Sequence, residues 1–177
     1  TKSKLLLCAL TIAHTEAMSV LGLHTCQAGH RCLYQTGSAF HDTVVGPGYH
    51  LKMPIFTSHH NILIQSQTDN LMDVECGSSK GGKVHLDIAV VNQLHFSDYC
   101  VLQTVKEYTF DYDHILIYQP IPSYVAEFCK NYTLEDIVVT QFDILDEVLM
   151  QKLREHVLAF APKDPETHKP CVDIQKV

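Results

Sequence analysis

Gly77-Ser78-Ser79-Lys80-Gly81-Gly82-Lys83-Val84 comes within one residue of a loop that wraps phosphate. Such a loop carries Gly, four residues, Gly-Lys, then a Ser or Thr whose hydroxyl holds magnesium. It also opens a helix, whose first N–H groups face the anion. Val84 stands where the hydroxyl belongs, and the alternation beginning there opens a strand. A small phosphate- or nucleotide-binding enzyme using the Gly77 to Lys83 loop is therefore the second reading, and a Gly-rich turn the first.

Other chemistry-bearing residues are just as incomplete. Asp111 and Asp113 could pair as acid and base, but Asp at a helix start is more often a cap or dipole partner. His24, Cys26, His30 and Cys32 crowd together, yet a strand with alternating polar residues explains them better than a metal. The sequence holds neither a Gly-x-Ser-x-Gly elbow nor a His-Glu-x-x-His pair. The expectation is no catalytic residue, no cofactor and no metal. Asn131-Tyr132-Thr133 is an N-glycosylation sequon between two expected helices.

The elements that must carry these residues fall into two stretches. From His30 the pattern is short strands and turns: Arg31 to Gln35, then Tyr49 to Met53, then Asn61 to Gln67. Val84, Leu86, Ile88 and Val90 alternate with His85, Asp87 and Ala89, so 84–91 should be a central strand with one buried face. After Ser97-Asp98 the period becomes helical, over Tyr99 to Tyr108 and again from Asp113 to Tyr118. Pro120 and Pro122 should interrupt it before a piece from Ser123 to Lys130. Thr133, with Asp136 in the capping-box position, should start a helix running to about Phe160. Its stripe of Leu134, Val138, Phe142, Leu145, Leu149 and Leu153 should seat it on the sheet. The last residues, 172–177, look like a closing strand. Strands, then helices, then a strand make an α+β fold, with helices on one face of a mixed or antiparallel sheet.

The chain has 177 residues, enough for one domain with a real core, and a net charge of −7. Its basic residues are scattered, which argues against nucleic acid as a partner. Nine acidic residues and one basic one, Lys130, lie between Glu107 and Glu147. They form a solvated helical surface, or a face for a basic partner. Seven cysteines without a Cys-x-x-Cys pair exclude zinc-ribbon and thioredoxin readings, and an odd number leaves at least one thiol unpaired within the chain. Cysteine number alone leaves the compartment open. Residues 5–23 are mostly apolar behind Lys2 and Lys4, close to the length of a membrane anchor, with His14 and Glu16 as a polar break. The alternative there is a cleaved signal.

One ordered set of short motifs goes further. Gln27-Ala28-Gly29-His30 precedes Gly46-Pro47-Gly48-Tyr49-His50-Leu51, with Pro54 after it. Gln67-Thr68-Asp69, Cys76-Gly77-Ser78-Ser79, Tyr108-Thr109, Asp111-Tyr112-Asp113, Glu127-Phe128-Cys129, Phe142-Asp143 and Ala161-Pro162 follow. In that order and spacing the chain resembles the erlins, of the stomatin/prohibitin/flotillin superfamily, whose shared unit is the SPFH (band 7) domain. The resemblance covers 24–162 and more loosely 171–177.

It implies an N-terminal anchor over 1–23 and an SPFH domain over 24–177. It also implies a single-pass endoplasmic reticulum membrane protein with its domain in the lumen. A non-enzymatic scaffold is expected, assembling with erlin-like subunits in cholesterol-rich membrane. It would deliver clients such as inositol trisphosphate receptors to ER-associated degradation with a ubiquitin ligase. Erlins carry a sequon at the position of Glu107-Tyr108-Thr109, which is absent here, leaving Asn131 as the candidate acceptor. The expected lateral contact sets Lys80 and Lys83 of one copy against Asp143, Asp146 and Glu147 of the next. Erlins continue into a coiled coil, whereas this sequence stops at Val177, so by itself it is expected to associate weakly.

Overall fold

The computed structural model describes residues 22–177, and of Phe142 and Asp143 the backbone alone. The expected anchor therefore lies outside the described residues, apart from Gly22 in a turn and Leu23 at the start of a strand. Among the described residues no helix is long and apolar enough to cross a membrane. The chain divides into two compact units, one ending at Leu63 and one spanning Ile64–Val177.

Over its described residues, the first unit has five short strands. β1 (Leu23–Cys26) pairs antiparallel with β4 (Gly48–Leu51). β2 (His30–Thr36) lies between β3 (Ala39–Val45) and β5 (Thr57–Leu63), both antiparallel to it. Gly46-Pro47 carries the chain from β3 to β4, and Gly48 enters β4 at φ 138°, a conformation that favours glycine. Buried Cys26, Cys32, Leu33, Tyr34 and Ile62 form a small core, with a disulfide joining Cys26 to Cys32. That bond resolves the crowding of His24, Cys26, His30 and Cys32: both thiols are bound to each other, across the turn between β1 and β2. The expected strand over 61–67 is corrected, because β5 ends at Leu63 and the next strand starts at Gln67. Continuous β propensity does not reveal where one sheet stops and another begins.

In the second unit, β7 (Lys83–Leu94) is the central strand, flanked antiparallel by β6 (Gln67–Gly77) and β8 (Val172–Lys176). Its alternation reads as expected: Ile88, Val90, Asn92 and Leu94 are buried while His85, Asp87 and Ala89 are exposed. All strand pairings described are antiparallel, in three separate sheets. Helices follow: α1 (Asp98–Tyr108), a π-helical turn (His114–Tyr118), α2 (Ile121–Cys129), α3 (Leu134–Val139) and α4 (Phe142–Phe160). Pro120 sits at the N-cap of α2, so the break expected there is present. Ser97 is the N-cap of α1, without a side-chain cap bond.

The single helix expected from Thr133 is corrected to two. Thr133 and Asp136 do form a reciprocal capping box. However, α3 ends after six residues, where the Thr140 and Gln141 amides both turn back to the Asp136 carbonyl. The break shifts the helical phase, so Ile137 is buried while Leu134 and Val138 are exposed. The expected stripe survives only in α4, where Leu145, Leu149, Leu153 and Val157 are buried. The side chain of Phe142, expected in that core, lies outside the description. Two disulfides close 53 and 71 residues of sequence: Cys76–Cys129 binds β6 to α2, and Cys100–Cys171 binds α1 to the residue before β8. Cys8, the seventh cysteine, lies outside the described residues.

Candidate functional site: the clasped hairpin

The Gly77 to Lys83 loop joins β6 to β7 as a hairpin, so it opens a strand. Its N–H groups are already engaged. Ser78 donates to the Gly82 carbonyl at 2.8 Å, Gly81 to the Ser78 carbonyl at 3.1 Å, and Gly82 to Ser78 Oγ at 3.0 Å. Gly81 takes φ 85°, closing the turn at a conformation glycine adopts without strain. A phosphate cradle needs several N–H groups converging outward, and this turn points them inward. Val84 supplies no hydroxyl, as the sequence indicates.

The hairpin is instead clasped to the turn between α2 and α3. Cys76 at its base is bonded to Cys129 at the end of α2. Ser79 donates twice to the Tyr132 carbonyl, through its amide at 2.9 Å and its hydroxyl at 2.9 Å. Gly82 lies so near Leu134 that an added Cβ would sit 3.5 Å from that side chain. The expected acceptor, Asn131, is exposed on this turn and donates from Nδ2 to the Glu127 carbonyl at 3.2 Å. Thr133, the sequon hydroxyl, donates to Asp136 Oδ2 at 2.6 Å and accepts from the Asp136 amide at 3.3 Å. The Thr133 hydroxyl and, at 3.2 Å, the Thr133 amide both donate to the Asp136 carboxylate and hold it below its usual range, with a smaller contribution from Lys80.

The two hairpin lysines thus have acidic company within their own chain. Lys83 pairs with Glu75 at 2.6 Å, both exposed, and the bond keeps the Glu75 carboxyl low. Lys80 acts on Asp136. Asp146 lines a groove of about 630 Å³ with Leu86, Ile88, Leu145 and Leu149, alongside the strand that Lys83 opens. Glu147 is exposed on α4, and the Asp143 side chain lies outside the description. Disulfide pairing and the Ser79–Tyr132 contact were missed by sequence reading. Cys76-Gly77 and Phe128-Cys129 were both visible motifs, but nothing along the chain says that they meet.

Two other clusters bear on chemistry. Asp113 caps the π-helical turn, its Oδ1 accepting from the His114 amide at 2.8 Å, and Gln67 reaches its Oδ2 at 3.3 Å. Burial raises the Asp113 carboxyl, helped by the charges of Asp69 and Asp111, and raises the Tyr112 and Tyr118 phenols. Asp113 is thus the cap expected of it. His95, Cys100 and Asp164 bring ligand-type atoms within 4.8 Å of one another. The Cys100 sulfur, however, is bonded to Cys171, and a metal ligand must be thiolate.

The sequence matches the SPFH domain/Band 7 family over residues 24–161. It is 34% identical over 158 residues to "Erlin-1" of Mus musculus, covering 89% of this chain and 45% of that protein. The human "Erlin-1" is also 34% identical, over 88% of this chain and 44% of its own length. "Erlin" of Caenorhabditis elegans is 37% identical over 79% of this chain and 45% of its own length. The chain therefore spans less than half the length of these curated relatives.

Proposed function

Since this chain belongs to the SPFH domain/Band 7 family, we propose that it is a non-enzymatic scaffold of the erlin type. The observation that carries this is the 34% identity to Erlin-1 across 89% of the chain. The working site is then a surface used repeatedly, because many weak contacts in one assembly gain strength from effective concentration.

The six paired cysteines support an oxidising compartment for this reading. Three disulfides, two of them closing long loops, persist in an oxidising space and are rare in the cytosol. In the proposed reading the domain faces the lumen of the endoplasmic reticulum, where such bonds persist. Membrane attachment rests on two features. The apolar residues 5–23 are the candidate anchor, with Lys2 and Lys4 on the cytosolic side. In the first unit, Tyr49, Leu51, Met53, Ile55 and Phe56 are all exposed within eight residues, a patch suited to lie against lipid.

Partners are erlin-like subunits, cholesterol-rich membrane, a ubiquitin ligase and a client of ER-associated degradation. For lateral contact, Lys80 and Lys83 of one copy would face Asp143, Asp146 and Glu147 of the next. Because Lys83 already pairs with Glu75, the new pairing must displace an existing one. Exposed pairs contribute only about 0–1 kcal/mol each, so contact is weak without a further assembly segment.

The test is expression of this chain, extended after Val177 by an erlin-type coiled coil, with an erlin in cells, followed by membrane fractionation and native sizing. The expected result is co-purification from membranes in a large, salt-sensitive complex. Recovery of this chain as a monomer apart from the erlin would overturn the scaffold reading. Lys80→Glu with Lys83→Glu should loosen assembly, and an unchanged complex would rule out that interface.

A further inference from the structure

We propose that Asn131 is an N-glycan acceptor whose occupancy is set by closure of the Cys76–Cys129 clasp. The inference rests on the luminal reading of the domain. Every residue of the sequon is tied down in the folded chain. Asn131 Nδ2 is bonded to the Glu127 carbonyl. The Tyr132 carbonyl accepts two bonds from Ser79. Thr133 Oγ1 is held on Asp136 from both directions. The Asn131 and Tyr132 amides fold back on the Phe128 and Cys129 carbonyls at 3.2 Å each, so the segment is a compact turn. Cys129, two residues before the acceptor, is fixed to the hairpin through Cys76.

A glycosyltransferase reads both the Asn amide and the hydroxyl two residues on. In the closed clasp that hydroxyl caps α3 and the backbone between the two is bound to Ser79. Transfer therefore belongs to the open chain. In that step the Asn131 amide nitrogen attacks the anomeric carbon of an oligosaccharide carried on a lipid pyrophosphate. The C–N bond forms, the C–O bond to pyrophosphate breaks, the pyrophosphate leaves with the bonding pair, and the amide proton passes to a base of the transferase. Closure is the competing step. The Cys76 and Cys129 thiols lose two protons, and their two electrons reduce the disulfide of an oxidoreductase through a mixed disulfide. Once closed, the exposed Asn131 could carry a glycan already attached but no longer present its sequon to the enzyme. Glycan addition and disulfide formation thus race, and the winner sets the sugar on this face. A glycan there would stand on the turn that Ser79 of the hairpin contacts and restrict lateral contact through the hairpin.

The experiment expresses the full chain in mammalian cells and reads the mobility shift removed by endoglycosidase. Wild type should show a partial shift that is absent in Asn131→Gln. Cys76→Ser leaves the sequon and its neighbours untouched and should bring the shift to near completion. Cys100→Ser opens the other disulfide of the same unit and should leave occupancy at the wild-type level. Equal occupancy in wild type and Cys76→Ser, no shift in either, or the same rise in Cys100→Ser would each overturn the inference. Alkylation of denatured, unreduced protein separates the two readings. If the clasp cysteines are protected and Asn131 is bare, this inference alone fails; if they label freely, the luminal reading fails.

Discussion

From Gly22 to Leu63 the chain makes five short strands and closes one disulfide between residues six apart. From Ile64 onward it makes three strands and four helices, and closes disulfides over 53 and 71 residues. Among the described residues the first unit buries few large side chains and gathers five exposed apolar ones between 49 and 56; the second holds most of the buried apolar residues, and its exposed ones are spread from Met72 to Phe160. The contrast teaches where order comes from. The second unit is held by core and long loops closed covalently. The first, over its described residues, is two small sheets with a cluster of exposed apolar side chains in 49–56.

Disulfide removal gives the largest expected difference. By loop entropy, closing 53 or 71 residues stabilises by about 4 kcal/mol, and closing six by about 2 kcal/mol. Cys100→Ala with Cys171→Ala should therefore lower unfolding free energy about twice as much as Cys26→Ala with Cys32→Ala. Denaturant melts of the two double variants measure this. Equal losses would mean that the long loops are already constrained in the unfolded chain.

Core truncation comes next. Leu149 is 1% exposed on α4, and Leu149→Ala should cost about 3 kcal/mol. Leu51 is 76% exposed on β4, and Leu51→Ala should change stability by about 0.5 kcal/mol or less. If Leu51→Ala proves as costly as Leu149→Ala, the apolar patch is structural and the contrast between units collapses.

What the sequence revealed divides between near neighbours and distant ones. β7 was legible because one of its faces is buried and the other wet, so burial wrote a period of two into 84–90. The interruption at Pro120 was legible because proline imposes it chemically. The break after Val139 was not, since Leu134, Val138 and Phe142 keep helical spacing across it and only the turn of Thr140 and Gln141 onto Asp136 shifts the phase. Within the candidate site, Asn131 and the Thr133–Asp136 box were readable because their residues are neighbours. The Cys76–Cys129 bond and the Ser79–Tyr132 contact depend on β6 meeting α2, which local pattern does not encode.

Acid should weigh more on the first unit, which holds three depressed histidines, than on the second, where burial depresses His156. His24, His59 and His60 are held below the ordinary 6.5, chiefly by burial; for His24 the charges of His59, His50 and Lys52 add to it. The unfolded chain then takes protons near 6.5 while the folded chain does not, so the first unit loses stability as pH falls through and below that value. Asp113 is raised above 3.8, so the folded second unit binds the extra proton, and its contribution is lost as pH rises through the raised value. Hydrogen exchange at pH 7 and pH 5.5 should show β2 amides losing protection first. Uniform loss across β2 and β7 would show the units responding as one.

The smallest effect concerns Ile55, which is 95% exposed and holds φ 75°. That conformation costs an L-residue about 1–2 kcal/mol, and a β-branched one is a true outlier there. Glycine occupies the region freely but loses about 0.5–1 kcal/mol more backbone entropy on folding. The two terms nearly cancel, leaving Ile55→Gly neutral to about 1 kcal/mol more stable. Since the side chain is almost wholly exposed, little buried area is lost with it. A stabilised or unchanged melting point, with weaker binding to lipid vesicles, would mean that Ile55 serves the surface and not the fold. A clear loss of stability would instead assign the isoleucine a packing role and return the 49–56 patch to the first unit's own architecture.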